Sequence, residues 1–490
     1  MKILFLTSEV YPLVKTGGLA DVSYSLPREI QNQDHDIRLV VPFYSAIKEQ
    51  YPHSFEFLKT SYIYFGQDYY SGAIFHGYVP SSSVPVYLID SQQFFNRRGI
   101  YNENGIDYPD NCLRFAFFCM QSLQMLKLID FKPDIIHCND WHAALAAIYL
   151  KTVLKDEDFF QGVKILFTIH NISYQGIFSP DKLPEIGLDE SYFTPEHLEY
   201  WNNINLMKGG IMCADAVNTV SPTYCKEVHT DEFGFGLEGV IQQNSARFHG
   251  ILNGVDYSIW SPEIDRSIPK NYDIDHLESK LDNKLALQKE LQLPVSKVIP
   301  LIGMVTRIIE QKGFGLIIPI LETLLSKEEV QLVILGDGEK NIIQQLKAVQ
   351  KKYPHRFVLI TGYNNRLSHF IEAGADIFLM PSQFEPSGLN QMYSLKYGTI
   401  PIVRNVGGLN DTIIPYSSAN MNNNTANGFV VTSHTQDCLL KTINKALKLY
   451  HNDKESWHQL MKNAMNYDFS WKKAACEYIS LYSKILQEGK

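Results

Sequence analysis

Three groups of residues in this chain have the types and spacing to handle a charged, oxygen-rich ligand. The first is Lys15-Thr16-Gly17-Gly18-Leu19-Ala20-Asp21, which follows an apolar N-terminal run. A Gly pair between a strand and a helix lets backbone N–H groups approach an anion at the helix N-terminus, and a Lys beside it adds a full positive charge. The second is Thr306-Arg307 with Glu310-Gln311-Lys312-Gly313, again just past an apolar run. Two cations placed there can clamp a diphosphate and stabilise negative charge on a leaving phosphate, the work Mg²⁺ does elsewhere. The third is Phe384-Glu385-Pro386-Ser387-Gly388-Leu389-Asn390-Gln391, after Ile377–Leu379. Glu385 can hold sugar hydroxyls or stabilise positive charge, and the amides of Ser387, Gly388 and Leu389 can open a helix and bind an anion. Arg404-Asn405-Val406-Gly407-Gly408-Leu409 repeats that arrangement after the next apolar run. Each group taken alone is also an ordinary turn or solvated loop.

Two histidines sit at similar places. Asp140-Trp141-His142 and Thr168-Ile169-His170-Asn171 both follow apolar runs of the first half. A lone His is commonly a satisfied core hydrogen-bonder; one with Asn beside it at a strand end is a better candidate. Other motifs are missing. The only Gly-Lys dipeptide is Gly489-Lys490, so there is no P-loop, and Gly336-Asp337-Gly338 lacks the third Gly of a dinucleotide fingerprint. The strings Asp34-His35-Asp36 and Asp273-Ile274-Asp275 follow no buried strand at its carboxyl end, so no metal ligands are assigned.

These groups need elements to position them. Strand candidates are Ile3–Leu6, Ile37–Val41, Ile135–His137, Val163–Thr168 and Ala216–Val220, then Ile299–Met304, Leu332–Leu335, Phe357–Ile360, Ile377–Leu379 and Ile400–Val403. Such runs, without strict alternation, suit strands buried on both faces of a parallel sheet. Helical patterns such as Cys112–Leu128 and Lys340–Lys352 lie between them, and Ser417–Asn427 reads as a surface loop. The rhythm is that of a doubly wound α/β fold, and it occurs twice. The polar stretch Trp260–Leu293 separates the halves. The expected division is 1–254, 255–465 and a C-terminal helical segment, 466–490, that packs back on the first domain. Ligands bind at the carboxyl ends of such strands, so a crevice between the two sheets is the expected site.

Composition narrows the function. Lys and Arg number 44 against 53 Asp and Glu, a net charge of −9, which disfavours a nucleic-acid or anionic-membrane surface but not a local basic pocket. The seven cysteines include no C-x-x-C pair, which argues against a disulfide framework and a zinc site. The N-terminal apolar run is too short for a signal-peptide core, and no run approaches the ~18 residues of a membrane helix. A soluble, cytoplasmic protein is expected. Tyr (28) and Phe (27) are abundant, and aromatic faces suit sugar rings, although most should be core.

The ordered set of motifs resembles the bacterial glycogen synthases and starch synthases, retaining glucosyltransferases of two-domain GT-B fold. It is carried by KTGGLADV (15–22), DNCLRFAFF (110–118), HCNDWH (137–142), TIHNISYQGIF (168–178), VSPTY (220–224), FGFGLEGV (233–240) and LNGVD (252–256). TRIIEQKG (306–313), FEPSGLNQ (384–391), YGTIPIVRNVGGL (397–409) and DFSW (468–471) complete it. The resemblance implies glucose transfer from ADP-glucose to the non-reducing O4 of an α-1,4-glucan (glycogen, starch or a maltooligosaccharide), with no metal or other cofactor. UDP-glucose as donor stays open. It implies that Lys15 and the Gly17-Gly18 loop meet the donor, and that Arg307 and Lys312 neutralise the diphosphate. Glu385 with the amides of Ser387, Gly388 and Leu389 would hold the glucosyl unit, and His170 its 6-hydroxyl. Asn253 would contact the donor side and Tyr363 stack on the adenine. Asp21, Asp140, Trp141, His142 and Asn171 would line the sugar and acceptor side, and Gly407-Gly408 form a second close-approach loop. Three residues depart from the family pattern: Ser387 for Cys, Asn390 for Thr and Val406 for Thr. A glucan phosphorylase carrying pyridoxal phosphate and a non-catalytic glucan-binding protein are the rival readings.

Overall fold

The computed structural model describes residues 1–488 and divides them into two compact units. The first is Met1–Asn253 together with the chain from Trp471 onward; the second is Gly254–Ser470.

In the first unit the apolar runs become strands β1 (Lys2–Leu6), β2 (Asp36–Pro42), β3 (Glu56–Phe65), β4 (Asp68–Tyr78), β5 (Pro85–Asp90), β6 (Ile135–Asn139), β7 (Lys164–Ile169), β8 (Ala216–Thr219) and β9 (Phe248–Gly250). They form one sheet in the order β9-β8-β7-β6-β1-β2-β5-β4-β3. Every pairing from β9 to β5 is parallel; the β5–β4 and β4–β3 pairings at one edge are antiparallel. The central strands are buried on both faces, as their unbroken apolar runs require: Ile3, Leu4, Phe5 and Leu6 are fully inaccessible. Helix Asp140–Lys151 is apolar all round and buried along nearly its whole length, so it lies inside the unit and is not an amphipathic surface helix.

The second unit holds a six-stranded, all-parallel sheet. Its strands are β10 (Leu301–Val305), β11 (Gln331–Gly336), β12 (Phe357–Thr361), β13 (Ile377–Met380), β14 (Ile400–Arg404) and β15 (Phe429–Val431), in the order β12-β11-β10-β13-β14-β15. Leu301, Val333 and Phe378 from the sheet pack with Leu287, Phe370 and Ile371 from two helices to make the core on one face.

The second domain boundary differs from the expected one. Residues 466–470 stay with the second unit, because Val255 donates to the Phe469 carbonyl (2.7 Å), the Phe469 N–H donates to the Tyr257 hydroxyl (2.9 Å), and Ser470 bridges to Val255. The crossing therefore begins at Trp471. Helix Trp471–Gln487 is held to the first unit by Tyr482 hydroxyl to His137 Nδ1 (2.8 Å) and by Asn218 Nδ2 donating to the Tyr478 hydroxyl (2.9 Å). The Asn-rich stretch is also not a plain loop. Ser417 caps a short helix, Ser418–Asn422, and buried Asn427 accepts from Ile414 N–H (2.7 Å) and donates to the Thr412 carbonyl (2.9 Å). No helix among the described residues is long and apolar enough to cross a membrane.

Candidate active site

In the first unit the site is built from the carboxyl ends of β1, β6 and β7. The chain leaves β1 through Thr7-Ser8-Glu9. Glu9 is almost fully buried, with Oε2 accepting from the N–H groups of Thr16 (2.5 Å) and Gly17 (3.1 Å). Its Oε1 accepts from the Thr16 hydroxyl (2.5 Å) and the Tyr101 hydroxyl (2.6 Å). This corrects one expectation for the Gly-Gly loop: the Gly17 N–H is held by the protein's own carboxylate and is not presented to a ligand anion. Helix Gly18–Asn32 starts at Gly18, and its first N–H groups have no acceptor within the helix. Lys15 Nζ pairs with Asp21 Oδ1 at 2.7 Å. Burial pushes the Asp21 carboxyl above its usual range, and the neighbouring Lys15 ammonium opposes that.

Asn139 ends β6, Asp140 opens the helix that follows, and both tie this strand end to its neighbours. Asn139 Nδ2 donates to the Leu6 carbonyl (2.9 Å), which turns its Oδ1 toward His170 Nε2 (2.9 Å). The His170 Nε2–H is therefore the donor and Nδ1 the bare acceptor. Desolvation lowers the His170 imidazole to about 3, so the ring is neutral near pH 7. Asp140 has φ +55, a left-handed conformation that Asp tolerates better than most residues, and its Oδ1 accepts from the His170 N–H (2.7 Å). Burial raises the Asp140 carboxyl to about 7 against those backbone hydrogen bonds.

Trp141 packs edge-on to Phe115 (5.1 Å between centroids), and the His142 ring stacks on Tyr101 (4.5 Å). Tyr101 thus connects the Glu9 loop to His142. Asn171 turns its Oδ1 onto Ser173 (2.7 Å to the hydroxyl) and shapes the loop after β7. His142 Nδ1 and Asn253 Oδ1 are buried with no hydrogen-bond partner. A buried polar atom left unpaired costs about 1–3 kcal/mol.

In the second unit the site lies at the carboxyl ends of β10, β13 and β14. Lys312 Nζ contacts Glu385 Oε2 at 2.6 Å, both side chains being largely buried, and the Ser382 hydroxyl donates to the same oxygen (2.9 Å). Gln311 links the neighbouring loops: its Oε1 accepts from Arg307 Nη2 (3.4 Å), and its Nε2 donates to the Phe384 carbonyl (3.2 Å). Asn390 Nδ2 donates to the Val305 carbonyl (2.7 Å), so the residue that departs from Thr ties this segment to β10. Ser387 directs its hydroxyl to the Gly388 carbonyl (3.3 Å), and Gly388 has φ +66. Met304, Thr306, Lys312, Glu385 and Leu389 are among the residues lining a small cavity of ≈ 70 Å³.

The glycines at 407 and 408 act differently from expectation. A Cβ on Gly407 would lie 2.0 Å from the Glu385 carbonyl oxygen, and one on Gly408 would lie 2.1 Å from that of Ser387. The close approach is therefore between two loops of the protein, and it fixes the backbone on which Glu385 and Ser387 sit. Val406 is the N-cap of helix Gly407–Thr412 and makes no side-chain cap hydrogen bond. Tyr363 stands apart, past the end of β12, with 77% of its surface exposed. Its hydroxyl donates to Asn365 Oδ1 (3.0 Å) and leaves a ring face open.

The residues that escaped notice in the sequence are Glu9, Tyr101, Asn139 and Ser382. Glu9 carried a weak signal, an acidic residue three positions past a buried strand; Tyr101 and Asn139 are recognised through partners distant in the chain, and Ser382 through Glu385, three residues on. The D-x-D strings serve local structure: Asp36 pairs with Arg38 (3.1 Å), and Asp273 caps Asp275 and His276 (3.0 and 2.8 Å).

Comparison with known proteins agrees with this layout. Residues 2–243 match the family model for the starch synthase catalytic domain, and residues 289–466 match that for glycosyl transferases group 1. The chain is 44% identical to glycogen synthase 2 of Geobacter metallireducens, over 98% of each protein. It is 41% identical to the glycogen synthase of Geotalea uraniireducens, again over 98% of each. Among solved structures, the catalytic domain of starch synthase IV from Arabidopsis thaliana, bound to ADP and acarbose, matches with a TM-score of 0.90 at 32% identity, over 99% of each chain. The two-domain α/β fold expected from the motifs is that of this structure. With identity running the length of the chain and both family models matched in order, the chain belongs to the glycogen and starch synthase family of glucosyltransferases.

Proposed function

We propose that the protein transfers glucose from ADP-glucose to the non-reducing O4 of an α-1,4-glucan, with retention of configuration and without a metal ion. The observation that carries this reading is the cation pair of the second unit. Arg307 and Lys312 follow one strand end, Lys312 is fixed on Glu385 at 2.6 Å, and Gln311 joins Arg307 to the loop that carries Glu385. Two preorganised cations stabilise a diphosphate as it gathers charge. Glu385, with the backbone amides after it, holds the glucosyl unit, and the exposed Tyr363 ring takes the adenine. The ADP bound in the Arabidopsis structure supports this donor over UDP-glucose.

In the first unit, Lys15 adds a third positive charge for the donor. His170, neutral and with Nδ1 as acceptor, receives a sugar hydroxyl. His142 Nδ1 and Asn253 Oδ1 are further acceptors, and Asp21, Asp140 and Trp141 line the acceptor side. In the step itself, the bond from C1 to the diphosphate breaks while the O4–C1 bond forms on the same face. The O4 proton passes to the departing phosphate oxygen. The reading places the enzyme in the cytoplasm, which its seven unpaired cysteines support.

ADP release from ADP-glucose, measured with and without glycogen, tests the proposal. Release should depend on glycogen, and Lys312→Ala or Arg307→Ala should lower kcat by roughly 10²-fold, as for loss of one transition-state donor. Near-wild-type kcat in either variant would remove the cation clamp from the mechanism.

A further inference from the structure

The carbonyls from Glu385 to Leu389 are all taken by the protein's own N–H groups. The Gly408 N–H donates to the carbonyls of Glu385 (3.2 Å) and Pro386 (3.1 Å). The next two are held by one side chain. Gln391, fully inaccessible in the first turn of helix Asn390–Lys396, donates from Nε2 to the carbonyls of Ser387 (3.0 Å) and Gly388 (3.2 Å). The same Nε2 lies 3.4 Å from the Thr412 hydroxyl, which donates to the Gly408 carbonyl (2.7 Å). The Leu389 carbonyl accepts from the N–H groups of Met392 (2.9 Å) and Tyr393 (3.0 Å).

This fixes the direction of the groups opposite. In a planar trans peptide the C=O of one residue and the N–H of the next point opposite ways. With the Ser387 and Gly388 carbonyls held on Gln391, the N–H groups of Gly388 and Leu389 face away from it. Gly388 and Leu389 line the ≈ 70 Å³ cavity together with Lys312 and Glu385. Neither N–H has an acceptor among the described residues. The fit at Gly388 is close, since a Cβ there would lie 2.4 Å from Gln391 Oε1. That Oε1 is itself buried with no partner, at a cost of about 1–3 kcal/mol. An apolar side chain of the same size would fill the space without that cost, so the amide is explained by what its N–H groups direct.

We infer that Gln391 is a positioning residue of the donor site: by holding the Ser387 and Gly388 carbonyls in the core, it turns the next two N–H groups into the cavity, where they meet oxygens of the sugar donor. The identity of that donor rests on the proposed function. Successive backbone N–H groups favour negatively charged oxygen, and groups already in place need no rearrangement as charge builds. Without the Gln391 amide both carbonyls would be buried and unpaired. Either peptide would then gain by turning its carbonyl into the cavity, which sets an acceptor where the substrate's own oxygens must sit.

Crystal structures and kinetics of two full-length variants test this. Gln391→Met fills the same space with no N–H group. Its structure should show the 387–388 or the 388–389 peptide turned over. Its kcat/KM for ADP-glucose should fall roughly 10²-fold, as for loss of one transition-state hydrogen bond, with the KM for glycogen unchanged. Gln391→Glu keeps the shape and can donate only when protonated. Burial favours the neutral carboxyl, so its kcat/KM should climb toward the wild-type value as pH falls from about 9 to about 6, with no such recovery in Gln391→Met. That pH response separates positioning from packing, and it carries the test if Gln391→Met does not fold. Both peptides unmoved in Gln391→Met would overturn the inference. So would a wild-type kcat/KM in that variant, or a deficit in Gln391→Glu that is the same at every pH. Peptide orientation is read without turnover, so a wild type that leaves ADP-glucose intact would contradict the donor reading and leave this one standing.

Discussion

At the scale of single residues, the site is organised by hydrogen bonds that settle which atoms are left for a ligand. His170 is the clearest case. The Leu6 carbonyl orients the Asn139 amide, Asn139 takes the Nε2 proton of His170, and Nδ1 is left as an acceptor. The imidazole is held down to about 3, against 6.5 for an ordinary His, because protonation would place a charge in a desolvated site. The sign follows from the depression. The stabilisation from a neutral His170 is complete above about pH 6.5, the unfolded value, and is lost as pH falls toward about 3. NMR titration of the His170 ring should show no protonation between pH 5 and 8, roughly the range in which an unperturbed His changes charge; a midpoint near 6.5 would contradict this geometry. Both histidines were recognisable in the sequence by their position after apolar runs. Glu9 offered only its place just past a buried strand, and nothing near it in the chain announces that its carboxylate holds the loop at Thr16 and Gly17.

At the scale of elements, burial decides what is legible. All ten strands expected from the sequence are present, because a strand covered on both faces must be apolar throughout. The β3–β4 hairpin was missed because it is half solvated and rich in tyrosine, so its outer face breaks the apolar run. Strand β5 was not expected either, although Val86–Ile89 are buried, and strands β9 and β15 escaped because they are only three residues each. The loops at the strand ends are held by elements far from them in sequence, which no local pattern reveals. The same holds for Lys280, buried in helix Lys280–Glu290, with its ammonium pushed down to about 7 by desolvation. Its Nζ donates to the Glu372 and Ala373 carbonyls (3.2 and 2.8 Å) at the C-terminal end of helix Asn365–Gly374 and contacts the Thr399 hydroxyl (2.6 Å). It caps that helix end from inside the core. Lys280→Ala would remove the side-chain donor of the buried Ala373 carbonyl and leave the Glu372 carbonyl to the Thr399 hydroxyl, and urea unfolding of the second unit should show a loss of about 3 kcal/mol. A loss within about 0.5 kcal/mol, as for a surface position, would contradict the capping role.

At the scale of the molecule, a net charge of −9 and a reaction on a phosphorylated donor are compatible because the positive charge is local. Lys15 sits in one unit, Arg307 and Lys312 in the other, and each cation is positioned by an acidic or amide partner, Asp21, Gln311 and Glu385 respectively. The overall negative charge suits a neutral polymer as acceptor. The chain's division into two sheets was legible from the repeated strand–helix rhythm. The boundary at Trp471 was not, because it depends on Phe469 and Ser470 pairing with Val255, more than 200 residues earlier. Proton NMR of a reaction containing ADP-glucose, maltotetraose and EDTA tests the central claim most directly. The account predicts new α-1,4 anomeric signals that grow in step with released ADP. New β-anomeric signals, or the absence of transfer until a divalent cation is added in excess of EDTA, would contradict it.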